Sequence, residues 1–141
     1  MMCAKELAAV KKASEKEWEK EKVESLIRIA KASIEFCENK IGPDLEKKAL
    51  DPRFNNIVVS YFLAATEDKY GNEVLCPVCF DGVEYANGTR SRKADTSVCY
   101  SQTIIEQYLK DHCLTVEWID ETYLRYWWGA RPAKRLYVSL K

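Results

Sequence analysis

A single histidine, His112, five glycines and four prolines leave this 141-residue sequence short of several kinds of chemistry. One imidazole, with no serine or cysteine tied to it by spacing, gives no support for nucleophilic catalysis. The glycines are scattered, so there is no glycine-rich phosphate loop, and Gly71, Gly82 and Gly88 read as isolated turn residues. No apolar run approaches the ~18–20 residues needed to span a bilayer. The N-terminal stretch MMCAKELAAVKKASEKEWEK lacks the apolar core of a signal peptide, which predicts a cytoplasmic chain. An excess of either charge is also missing, because 22 basic residues offset 22 acidic ones. The dominant basic face of a duplex binder and the acidic surface of a DNA mimic are both excluded on that ground.

What is present is a heavily charged surface around enough apolar residue for one core, so residues 1–141 are expected to form one domain. Charge varies along it: residues 49–120 carry a balance of −5 and the last 21 residues one of +4. From Val23 the apolar positions run Val23, Ile27, Ala30, Ile34, Cys37 and Ile41, alternating steps of four and three, which predicts a long helix with that stripe facing the core. Residues 1–20 read as a helical extension or a frayed arm. Gly42-Pro43 should stop or kink the helix, with a short second helix from Asp44 to Leu50. Asn56–Thr66 reads as a buried strand, and Glu73–Val78 returns antiparallel to it after a turn at Tyr70-Gly71-Asn72. Turns at Phe80-Asp81-Gly82 and Asn87-Gly88 flank a short strand, Val83–Ala86, and Thr89–Ser97 reads as an exposed basic loop. Ser101–His112 is a helix capped by Ser101, followed by three strands at Leu114–Ile119, Thr122–Trp128 and Lys134–Leu140. Helices and strands are segregated, so the expected fold class is α+β: a long and a short helix, then an antiparallel sheet with one further helix.

Six cysteines in a cytoplasmic chain read as thiols or metal ligands. Cys76-Pro77-Val78-Cys79 has the C-x-x-C spacing at which two thiolates in a tight turn share a zinc ion, and Cys99 follows with nineteen residues between, just before a helix. This stretch resembles a treble-clef zinc site, which implies a structural zinc on Cys76, Cys79 and Cys99 stapling the loop region. Where that pattern has its fourth ligand, position 102, this chain has Gln102; Cys37, Cys3, Asp95 or water remain as alternatives. His112 is excluded because a straight helix of that length separates its ends by roughly 16 Å. Cys37, on an apolar stripe, and Cys113, opening a strand, read as small core residues.

The other concentration is aromatic and basic. Trp118, Tyr123, Tyr126, Trp127 and Trp128 lie beside Arg125, Arg131 and Arg135, and strand alternation puts aromatics on both faces. Exposed Trp, Tyr and Arg together compose binding hot spots, which makes Trp128, Arg131 and Arg135 candidate partner contacts, with Arg90 and Arg92 on the basic loop beside them.

The C-terminal half, QTIIEQYLKDHCLTVEWIDETYLRYWWG then AKRLYVSL, together with IEFCENKIGPDLEKKA, resembles in texture the small proteins carried by phages and prophages of Firmicutes. Anti-CRISPR proteins are among these. The resemblance implies a non-catalytic, zinc-stapled inhibitor that binds a host RNA-guided nuclease, a type II CRISPR effector, and blocks its DNA binding or cleavage. It carries no functional residue over. The alternative is a small zinc-containing nucleic-acid-binding or regulatory protein, in which Arg90, Arg92, Lys93 and the basic C-terminal segment contact phosphates.

Overall fold

A computed structural model describes residues 1–126 and 129–140. The first quarter of the chain is rich in Ala, Lys, Glu and Leu, all strong helix formers, and it folds as α1 (Ala4–Phe36). The helix does not stop at Gly42-Pro43. It passes through a π-helical turn, Cys37–Ile41, directly into α2 (Gly42–Ala49), and the Gly42 amide donates to the carbonyl of Cys37. That widened turn takes up the space a proline ring would otherwise contest with the preceding turn.

The apolar stripe expected to face the core does not do so over residues 23–34. Val23, Ile27 and Ile34 are 55%, 62% and 38% exposed. The buried line is instead Ser25, Ile29, Ser33, Cys37 and Ile41, in steps of four. Serine's small side chain lets α1 approach its neighbours closely, and its polarity is satisfied: Ser33 Oγ donates to the Ile29 carbonyl (2.7 Å) and accepts from the Ser101 amide (2.8 Å).

Five strands follow, β1 (Val58–Glu67), β2 (Glu73–Glu84), β3 (Arg90–Ala94), β4 (Thr115–Arg125) and β5 (Gly129–Ser139), with α3 (Gln102–Asp111) between β3 and β4. They form one antiparallel sheet in the order β3-β2-β1-β5-β4, which bears out the α+β expectation. Three boundaries differ from the sequence reading. The Phe80–Gly82 turn is absorbed into β2, where a register irregularity and Gly82 at φ +92° bend one long strand. The basic segment around Arg90 is a strand rather than a loop. The three closing strands are two, because Asp120 and Glu121 stay in register with Lys134 and Ala133 and make no turn.

One face of the sheet, with Val59, Tyr61, Val116, Trp118, Leu136 and Val138, packs under Cys37, Ile41, Leu45, Ile105 and Leu109 from the helices. The other face is lined by Phe62, Ala64, Val78, Ala94, Tyr123 and Ala133, which come from all five strands. Three small alanines on that face let the sheet curl inward. Its two edges meet where the Tyr126 amide, at the end of β4, donates to the buried Ser91 Oγ of β3 (2.7 Å), while Ser91 donates to Asp81 (2.5 Å).

α3 starts and ends by sequence-encoded caps. Ser101 Oγ accepts from the Ile104 amide (3.3 Å), as expected. At the other end Cys113 is exposed at φ +62°, donating to the Lys110 carbonyl while Leu114 donates to that of Leu109. That is the Schellman arrangement, so Cys113 is a helix terminator and not a core residue. His112, also exposed, stacks on the ring of Tyr108 at 4.3 Å.

Candidate functional site

The curl of the sheet creates a cleft between β3 and β4. It measures about 440 Å³ and is lined by Phe62, Thr89, Arg90, Arg92, Tyr123 and Leu124, among others. Arg90 and Arg92 are exposed on β3, where alternate positions of a strand share a face. Arg90 also lies over the ring of Phe80 at 5.1 Å. Next to the cleft, Arg135 on β5 sits over the ring of Phe62 at 5.0 Å and donates through Nε to Glu121 (2.8 Å). The ion pair and the ring hold Arg135 in one orientation, and both partners are about two-thirds covered.

Two of the sequence-derived partner contacts, Arg90 and Arg92, therefore line one cleft, and Arg135 touches that lining through Phe62. Arg131 stands opposite Tyr123 in the β4–β5 register, outside the lining of the cleft. It is exposed, and it borders a separate cavity of about 610 Å³ with Pro132, Lys134, Ala65 and Ser101. Trp128, with Trp127, lies outside the described residues. Sequence reasoning missed Phe62, and it named Tyr123 in the aromatic set without choosing it as a contact; the signal available was alternation along β1 and β4, which places both opposite the helix-covered face.

The cysteine set is divided. Cys76 and Cys99 come together, Sγ to Sγ 3.6 Å. Cys79 does not. The C-x-x-C segment is part of an uninterrupted strand paired with β1 through Pro77 and with β3 from Val78 onward, and three positions along a strand is the opposite face. A knuckle needs both thiolates on one side of a turn, and here there is no turn. Cys37, one alternative fourth ligand, is buried in a different cluster with Ile41 and Leu45, and Cys3 is exposed ahead of α1. Asp95 accepts from the amide and hydroxyl of Ser97. Among the described residues no three His, Cys, Asp or Glu side chains are placed around one point. The residues present thus do not fit the zinc staple as its spacing implied.

Burial pushes the Cys76 thiol up to about 12, with Cys99 adding to the effect. Burial likewise raises Cys37 to about 11. Burial thus favours the protonated thiol at both positions, which slows attack by either on a sulfur that is not held against it.

Among the described residues no helix is long and apolar enough to cross a membrane. No family model, curated protein or solved structure matches the chain.

Proposed function

We propose that the protein is a non-catalytic inhibitor that binds a type II CRISPR effector nuclease stoichiometrically and blocks its DNA binding or cleavage, with the β3–β4 cleft as its contact surface. The observation that carries the choice of surface is the placing of Arg90 and Arg92 beside Phe62 and Tyr123. Planar guanidinium groups beside an apolar floor offer bidentate hydrogen bonds and desolvated contact area at one spot, the combination that dominates interface energies. The choice of target rests on the resemblance to phage-borne inhibitors and on a charge balance that disfavours direct duplex binding.

The convergence of arginines also favours a second reading, in which the cleft holds a nucleic-acid phosphate. Binding measured against purified effector and against bare duplex, from about 50 to 200 mM salt, separates the two. The inhibitor reading expects effector binding that Arg90→Ala or Arg92→Ala weakens about thirtyfold at unchanged melting temperature. Duplex binding that is tighter than effector binding, and that falls steeply with salt, overturns it.

A further inference from the structure

Leu75 on β2 and Tyr100, just ahead of α3, form an isolated antiparallel bridge, each amide donating to the other's carbonyl at 2.9 and 2.7 Å. The next opposed pair along it is Cys76 and Cys99. In an antiparallel ladder a pair flanking such a doubly bonded one is the close, non-hydrogen-bonded kind, with Cα atoms about 4.5 Å apart, inside the range a disulfide spans. The two sulfurs already stand 3.6 Å apart, against a disulfide bond length of ~2.05 Å. Cys76 is fully buried against Val74 and Ile29, while Cys99 is partly exposed and borders an open cavity beside α1.

We propose that Cys76 and Cys99 are a reversible redox site that takes a low-molecular-weight disulfide as oxidant. Cys99, the accessible partner, attacks as its thiolate one sulfur of the small disulfide and expels one small thiolate. Cys76 then attacks the Cys99 sulfur of the mixed disulfide and expels the second. The two protons of the protein thiols end on the two expelled thiolates, so two protein thiols are oxidised by two electrons and one small disulfide becomes two thiols. Burial of Cys76 makes it the resolving partner, since it reacts only with a sulfur brought into contact with it. The bond staples β2 to the segment that leads into α3.

The test is incubation of the whole native chain with oxidised glutathione, followed by thiol counting and peptide mapping. The expected product has lost two thiols, carries a Cys76–Cys99 linked peptide, retains no glutathione and melts roughly 10 °C higher than the reduced chain. Cys79→Ser leaves this unchanged, whereas Cys99→Ser abolishes it. A stable glutathione adduct on Cys99, a linkage through Cys79, or one bound zinc per chain that requires Cys79 overturns the proposal.

The exposed stripe on α1 carries an independent inference. Val23, Leu26, Ile27 and Ile34 are all more than a third exposed, at the spacing of a helix–helix seam. Glu24 and Lys31 flank that seam on one side. A two-fold axis crossing the helix near Arg28 brings Glu24 opposite Lys31 of a second copy, and Lys31 opposite its Glu24, while Val23 meets Ile34 and Ile27 meets Ala30. We infer that α1 pairs antiparallel with α1 of a second copy of this chain. Sedimentation across a concentration series should show a monomer–dimer equilibrium that Ile27→Glu abolishes. Glu24→Lys alone should weaken it roughly tenfold, and adding Lys31→Glu should restore it. A chain monomeric throughout, or a double variant no better than the single, overturns it.

Discussion

Replacing Ser33 by Ala tests how α1 is seated. Ser33 is fully buried, and its hydroxyl is the acceptor for the Ser101 amide, the N-cap residue of α3. Deleting the hydroxyl leaves that partly buried amide without this partner, at a cost of about 1–3 kcal/mol, while alanine's better helix propensity returns about 0.5 kcal/mol. A net loss of about 1–2 kcal/mol follows, which at a urea slope of about 1.5 kcal/mol per molar lowers the midpoint by about 1 M. Ile27→Asp, on the same helix but 62% exposed, should cost less than about 1 kcal/mol when measured where the chain is monomeric. The reasoning is refuted by the reverse order: a neutral Ser33→Ala beside an Ile27→Asp that unfolds the protein would mean that the apolar stripe, not the serine line, faces the core.

Other substitutions probe single contacts. Cys113→Gly should stabilise by about 0.5–1 kcal/mol in chemical denaturation, because glycine takes the left-handed backbone at φ +62° without steric cost. Among the described residues none accepts a hydrogen bond from the buried Trp118 Nε1, so Trp118→Phe should cost under about 1 kcal/mol by the same assay. Tyr61 donates to Asp44 at 2.6 Å and tethers α2 to β1; Tyr61→Phe should lower stability by about 1–2 kcal/mol in the same assay.

The sequence made the secondary structure legible where local chemistry decides it. Ser101 announced α3, and the Ala/Lys/Glu-rich start announced α1. It misled where tertiary contacts decide. Val23, Ile27 and Ile34 have the periodicity of a core stripe, yet the interior selected Ser25, Ile29 and Ser33, because small residues were needed for close packing and their hydroxyls could be bonded. Asp120 and Glu121 look like a turn, but β5 holds them in register. The C-x-x-C spacing is shared by zinc knuckles and by ordinary strands, and only pairing with β1 and β3 shows that Cys76 and Cys79 face apart. Of the candidate partner contacts, Arg90 and Arg92 were found as basic residues of a segment read as an exposed loop. That they line one cleft with Phe62 and Tyr123 depends on the curl of the sheet, which no local pattern encodes.

The central claim is met most directly by titrating this protein into a purified, guide-loaded type II effector and following cleavage of its target duplex. The account predicts activity falling in proportion to added protein, with no recovery on adding fresh duplex. An Arg90→Glu, Arg92→Glu double variant of unchanged melting temperature should need more than about tenfold excess for the same effect. Full cleavage at tenfold excess of the wild-type chain, or inactivation by far less than one chain per nuclease, would contradict it.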